Sequence, residues 1–180
     1  MPAATDERTA RVARWAAAGV LILSVLALLV QGANTTKRPS LSGAHPSRVR
    51  GFDQIAFEVR SSEGTTRHFC GLLALTAAQQ DQGLMNRTDL AGYDGMLFQF
   101  GQPTTVEFYM KDTLIPLSIA WFDASGHFVS STDMTPCRTQ DSCQLYAAAS
   151  PYTDALEVSV GGLGRLGIGT GSSLTVGGGC

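Results

Sequence analysis

Positive charge is scarce in this chain, which has 13 Lys and Arg among 180 residues. Removing residues 1–33 takes Arg8, Arg11 and Arg14 together with Asp6 and Glu7, leaving 10 basic and 13 acidic residues, a net of −3. A nucleic-acid binder needs clustered Lys and Arg to displace phosphate counterions. Here the remaining bases are scattered, so nucleic acid is set aside as a partner. Nucleophile signatures are missing too: there is no Gly-x-Ser-x-Gly and no Ser-x-x-Lys. No alternation of strands with long helices occurs, which argues against a parallel α/β sheet, whose crossovers need a dozen or more residues. No internal repeat is visible. No cysteine closely follows the N-terminal apolar run, the first being Cys70, so a lipid anchor is not expected.

What is present begins with that run. Residues 15–30 read WAAAGVLILSVLALLV, sixteen positions without a charge, extended to nineteen by Gln31, Gly32 and Ala33. A spanning helix needs about 20 residues, whereas a secretory apolar region has about 7–15. The stretch lies between the two, and a poor cleavage signal (Gln31 third back from a cut after Ala33) favours a retained anchor over a signal peptide. Arg8, Arg11 and Arg14 precede the run, while Lys37, Arg38, Arg48 and Arg50 follow it. The positive-inside count is therefore divided. Arg11 and Arg14 adjoin the apolar segment, and long following domains translocate largely regardless of charge. The expected organisation is a cytoplasmic tail (1–14), a transmembrane anchor or signal peptide (15–33), a Pro- and Gly-containing linker (34–51), and a β-rich domain outside the membrane (52–178). If the segment is cleaved, the domain is secreted.

Within that domain the apolar period is mostly two. Ile55, Phe57 and Val59 alternate with Ala56, Glu58 and Arg60, as in a half-buried strand. Further strands are expected at residues 66–75, 95–100, 105–110, 117–123, 127–134, 155–160 and 173–176, with a turn at Asp123-Ala124-Ser125-Gly126. Thr76-Ala77-Ala78-Gln79 is a capping box that starts a helix of about two turns ending near Gly83. These elements predict a mainly β fold: a single antiparallel β-sandwich or barrel-like domain with one or two short helices.

Five segments occur in an ordered series: Gly83-Leu84-Met85-Asn86-Arg87, Gly95-Met96-Leu97-Phe98, residues 108–117 (FYMKDTLIPL), Met134-Thr135-Pro136-Cys137 and Ala155-Leu156-Glu157-Val158. Over about residues 55–177 the series resembles the family known as domain of unknown function 192. The resemblance implies a compact β-sandwich or barrel, usually exported in bacteria and archaea, with no established activity. Two positions depart from that family's pattern: Asp112 stands where Asn is usual, and Ser118 where Asp is typical. The second departure removes a carboxylate and argues against acid–base chemistry there.

The candidate chemistry competes with simpler readings. Gly162-Leu163-Gly164-Arg165-Leu166-Gly167 matches a dinucleotide fingerprint by letter, but the chain ends 13 residues later without the required acid, so a tight glycine-rich turn of helix is expected. His68, Cys70, Cys137 and Cys143 match no standard zinc spacing, and exported cysteines are usually oxidised. A local disulfide between Cys137 and Cys143 is expected, with Cys70–Cys180 open as a second pair. Met85, Met96, Met110 and Met134 lie in apolar motifs and are expected to fill the core. Asp112, Asp123 and Asp133 lie near turns, where capping explains them. No catalytic residue, metal or cofactor is assigned.

The candidate binding segment is residues 109–116, where Tyr109, Lys111, Asp112 and Thr113 place polar groups between apolar strands, with His127 as a further member. The expected function is a non-catalytic module that binds an unidentified envelope ligand or protein while tethered to the membrane. The alternative is an enzyme of unknown reaction class using Lys111, Asp112 and His127.

Overall fold

The computed structural model of the chain describes residues 48–138 and 143–180. The apolar run at 15–30, the arginines that precede it and most of the linker lie outside the described residues. Among the described residues, no helix is long and apolar enough to cross a membrane.

The strands are β1 (Asp53–Arg60), β2 (Thr66–Ala74), β3 (Gly95–Thr104), β4 (Phe108–Tyr109), β5 (Leu117–Phe122), β6 (Phe128–Met134), β7 (Leu145–Tyr146), β8 (Tyr152–Ser159) and β9 (Ser173–Val176). The helices are α1 (Ala77–Gln82) and α2 (Leu163–Leu166). Seven strands make one sheet in the order β6-β5-β8-β3-β2-β1-β9, and β4 pairs with β7 in a two-stranded ribbon. The mainly β expectation holds, with two short helices.

The arrangement of the sheet corrects two finer expectations. The sheet is mixed, because β2 and β3 run parallel, Gly71 opposite Gly95 through Ala74 opposite Phe98. A parallel pair needs a long return, and residues 75–94 supply it with only a six-residue helix on the way. The sheet is also not a closed barrel. Its edge strands meet through an isolated His127–Ser173 bridge, at the hairpin between β5 and β6. Phe128 N–H donates to the Ser172 carbonyl and Leu174 N–H to the Gly126 carbonyl, so the edges touch at that end alone among the described residues. The strand expected at 105–110 is likewise shorter: β3 runs on to Thr104, and only Phe108 and Tyr109 pair, with Tyr146 and Leu145.

Local signals fare well. Thr76 caps α1, its hydroxyl accepting from Gln79 N–H while the Gln79 side chain answers the Thr76 amide at 2.9 Å. Gly83 closes the helix at φ 45°, a conformation that disfavours side chains. Gly162 and Gly167 bracket α2, the turn of helix expected from their spacing.

Every residue of β5 is buried, so the sheet is covered on both faces. Period-two alternation sends Leu117, Ile119 and Trp121 into one apolar cluster and Ala120 and Phe122 into the other. The first cluster is completed by Leu84 and Tyr93 from the β2–β3 return and by Phe108 and Met110 around β4. The second gathers Phe57 and Val59 of β1, Leu174 of β9 and Leu166 of α2. Met96, Met110 and Met134 are core residues. Cys137 is bonded to Cys143 and Cys70 to Cys180, with Cα–Cα distances of 5.5 and 5.6 Å.

Candidate functional site

The most chemically distinctive position in the fold is Glu157. It lies on β8, between β3 and β5, with Met96 and Ile119 as its register partners. Alternation along β8 sends Leu156 and Val158 to the second cluster and Ala155 to the first, so Glu157 shares the face of Ala155. The residue is 4% exposed. Among the described residues its carboxyl has no hydrogen-bond or ion-pair partner. Burial pushes its pKa up to about 8, because the apolar surroundings penalise the charged form. At neutral pH the group is therefore mostly a carboxylic acid. Backbone packing holds it in place, since a side chain on Gly95 would collide with the Glu157 carbonyl oxygen.

Glu157 lines a cavity of about 220 Å³ between α1, β3 and β4. Phe98, Phe100 and Phe108 supply aromatic walls, and Leu84 and Met85 an aliphatic one. Phe98 meets Phe108 edge-on, with ring centroids 5.0 Å apart. Gln80 donates to the Gln99 carbonyl at 2.9 Å, which ties α1 to β3 across the rim. Tyr152 donates to the Val106 carbonyl at 2.6 Å and so fixes the segment leading into β4. Val106 and Tyr109 stand at the mouth, 55% and 38% exposed, beside the exposed carboxylates of Asp81 and Glu107.

The residues expected from sequence to form a binding segment separate into three places. Tyr109 and Thr113 line this cavity. Lys111 and Asp112 belong to the neighbouring turn, where Lys111 bridges to Cys137 and Asp112 N–H donates to the Cys137 carbonyl at 2.8 Å. Asp112 has φ 52°, a left-handed conformation that Asp and Asn adopt more readily than other side chains, which explains why either suits this position. His127 stands in the β5–β6 hairpin, at the opposite end of β5 from Leu117 and the turn preceding it. Six strand residues span about 20 Å, so His127 and Asp112 do not share a site. Its imidazole lies 3.5 Å from Asp123. Slight desolvation would raise the Asp123 pKa, but the amides of His127 and Ser125 and the His127 ring together lower it.

Ser118 is buried and engaged. Its hydroxyl donates to Asp133 on the adjacent strand and accepts from Gly161 N–H. Glu157 is what reading the sequence for chemistry overlooked. The signal was an acid between Leu156 and Val158, inside the otherwise apolar stretch 155–158.

The family model of domain of unknown function 192, DUF192, described as an uncharacterised ACR, matches residues 59–176. The chain belongs to this family. Two solved structures share the DUF192 fold seen here. A protein of unknown function from Novosphingobium aromaticivorans DSM 12444 is 30% identical with a TM-score of 0.60, the match covering 73% of this chain and 93% of that one. A putative transcription regulator from Sinorhizobium meliloti 1021 is 26% identical with a TM-score of 0.61, covering 72% of this chain and 98% of that one. No curated protein matches the chain. The family is uncharacterised, so membership assigns no activity to this DUF192 domain.

Proposed function

We propose that this DUF192 domain is a non-catalytic module that binds a small, largely apolar molecule in the cavity beneath α1, with Glu157 as its polar contact. One observation carries the reading: a carboxyl on a residue only 4% exposed, with no partner among the described residues, at the wall of an aromatic-lined cavity. Burying a polar group without a hydrogen bond costs about 1–3 kcal/mol, so such groups are rare in cores and concentrate where a site uses them. Small-molecule sites commonly combine apolar walls with a few polar groups that orient the ligand. No nucleophile–base pair is recognised at the cavity, which favours binding over catalysis.

The apolar run at 15–30 supports a location outside the cytoplasm with the domain tethered to the membrane. In that arrangement the linker at 34–51 lets the cavity sample the membrane-proximal space. Protease added to spheroplasts is expected to digest the domain; protection of residues 52–180 would contradict the location. The regulatory role in the printed name of the Sinorhizobium protein is not extended to this chain, because its net of −3 beyond residue 33 and its scattered bases disfavour phosphate binding.

Titrating the full-length chain with benzyl alcohol while following amide NMR shifts tests the cavity. Shifts are expected at Gln80, Gly83, Phe98, Phe108 and Glu157. They should be lost in Val106→Trp, which covers the mouth from an exposed position. Unmoved amides at the cavity, with benzyl alcohol and with amines of the same size, would refute the reading.

A further inference from the structure

Building on that binding reading, we propose that the ligand is a small organic cation: a protonated primary or secondary amine on an apolar body, its N–H groups held by Glu157. The ionisable groups around the cavity are of one kind. Asp81 from α1, Glu107 from the segment before β4 and Glu157 from β8 are acids, and Tyr109 of β4 adds a phenol. Among the described residues, no Lys, Arg or His lines the cavity. An anionic ligand would meet three acids and no counter-charge. A cation would be drawn in by the two exposed carboxylates at the mouth and meet the third inside.

The walls agree with this chemistry. Phe98, Phe100, Phe108 and Tyr109 line the same cavity as Glu157. Aromatic rings attract cations through their negative faces, most strongly where water is excluded. An ammonium can donate to the buried carboxylate, a charge-assisted hydrogen bond roughly twice as strong as a neutral one. Register neighbours Met96 and Ile119 bring no charge of their own. The carboxyl therefore answers to whatever enters the cavity.

Binding has a proton balance. With its pKa raised to about 8, the empty site is mainly Glu157–COOH at pH 7. The ligand enters as an ammonium and leaves the pair as carboxylate and ammonium, so the carboxyl proton passes to the buffer. No covalent bond to carbon forms or breaks. Well above pH 8 the carboxyl is already ionised and no proton is released.

Calorimetric titration of the full-length chain with benzylamine and with benzyl alcohol separates the outcomes. At pH 7 the amine is expected to bind about 10- to 100-fold more tightly than the alcohol. Its binding heat at pH 7 should differ between phosphate and Tris in proportion to nearly one released proton. Glu157→Gln should remove both the amine preference and the buffer difference. If that variant does not fold, the buffer comparison on the unaltered chain decides alone. Equal affinity for amine and alcohol, or amine binding without proton release, overturns the cation assignment and leaves the apolar cavity reading standing. Failure of both compounds to bind overturns the two together.

Discussion

The two faces of the seven-stranded sheet differ in how completely they partner their buried polar groups. On the face carrying Ala120, Phe122, Leu156 and Val158, the buried polar residue Ser118 has both a donor and an acceptor partner, Gly161 N–H and Asp133. On the opposite face the Tyr146 and Tyr152 hydroxyls have partners, but the Glu157 carboxyl in the cavity wall has none among the described residues. Trp121 Nε1 in the same cluster is also buried without a partner among the described residues, as is the Tyr93 hydroxyl. A buried polar group with partners helps to hold a fold together, whereas one without them lowers stability and is kept where something else uses it. One face is packed throughout, the other holds the cavity.

Substitutions can break or sharpen that contrast. The largest effect is expected from Leu156→Ala, on the face away from the cavity. It deletes a fully buried side chain and should cost about 2–5 kcal/mol by chemical denaturation. A loss below about 1 kcal/mol would show that this face is no better packed than the other.

Next comes the pH dependence of stability. The folded Glu157 carboxyl titrates near 8, while its ordinary value is 4.5. Between these values the folded chain keeps a proton that the unfolded chain has released, so unfolding becomes more favourable as pH rises. The contribution is fully present below about pH 4.5, declines through the window at up to about 1.4 kcal/mol per pH unit, and is lost above about pH 8. Glu157→Leu should remove that component of the slope, measured as the midpoint of urea unfolding from pH 4 to 9. An unchanged profile would place the titration elsewhere.

The same substitution sets the faces against each other at a single pH. Glu157→Leu replaces an unpartnered carboxyl with an apolar side chain of similar size and should stabilise the free protein by about 1–3 kcal/mol at pH 7. Ser118→Ala removes a partnered hydroxyl, strands Gly161 N–H and should destabilise by about 1–2 kcal/mol. Two changes of the same sign would end the distinction between the faces. The smallest effect is Thr76→Ala at the start of α1. It should cost about 1 kcal/mol, read as a lower unfolding midpoint, and weaken ligand binding by loosening the helix that walls the cavity.

Local features of this protein were legible from sequence because their causes are local. The capping box at Thr76 and Gln79 closes within one turn of helix, and the Gly162–Gly167 spacing sets a single turn of α2. The hairpin at Asp123–His127 rests on side-chain acceptance by Asp123 of the Ser125 and His127 amides. Tyr109 and Thr113 were expected in a binding segment from their polarity, and the structure places them in the cavity lining. Lys111 and Asp112 drew notice by their polarity, yet Asp112 answers to a left-handed backbone, which a letter string does not display.

The sequence by itself determined most of the strands and their alternation, the short helix after Thr76 and the family, but not β7 or the extent of β4. Tertiary structure alone decided that β2 and β3 run parallel, that β4 pairs with β7, and that β8 lies between β5 and β3. That last placement makes the site. Period-two alternation sends Glu157 to one side of β8, but only the strand order determines whether that side meets water. Strand order depends on pairings between residues dozens of positions apart, such as Met96 with Glu157, and no local propensity encodes them.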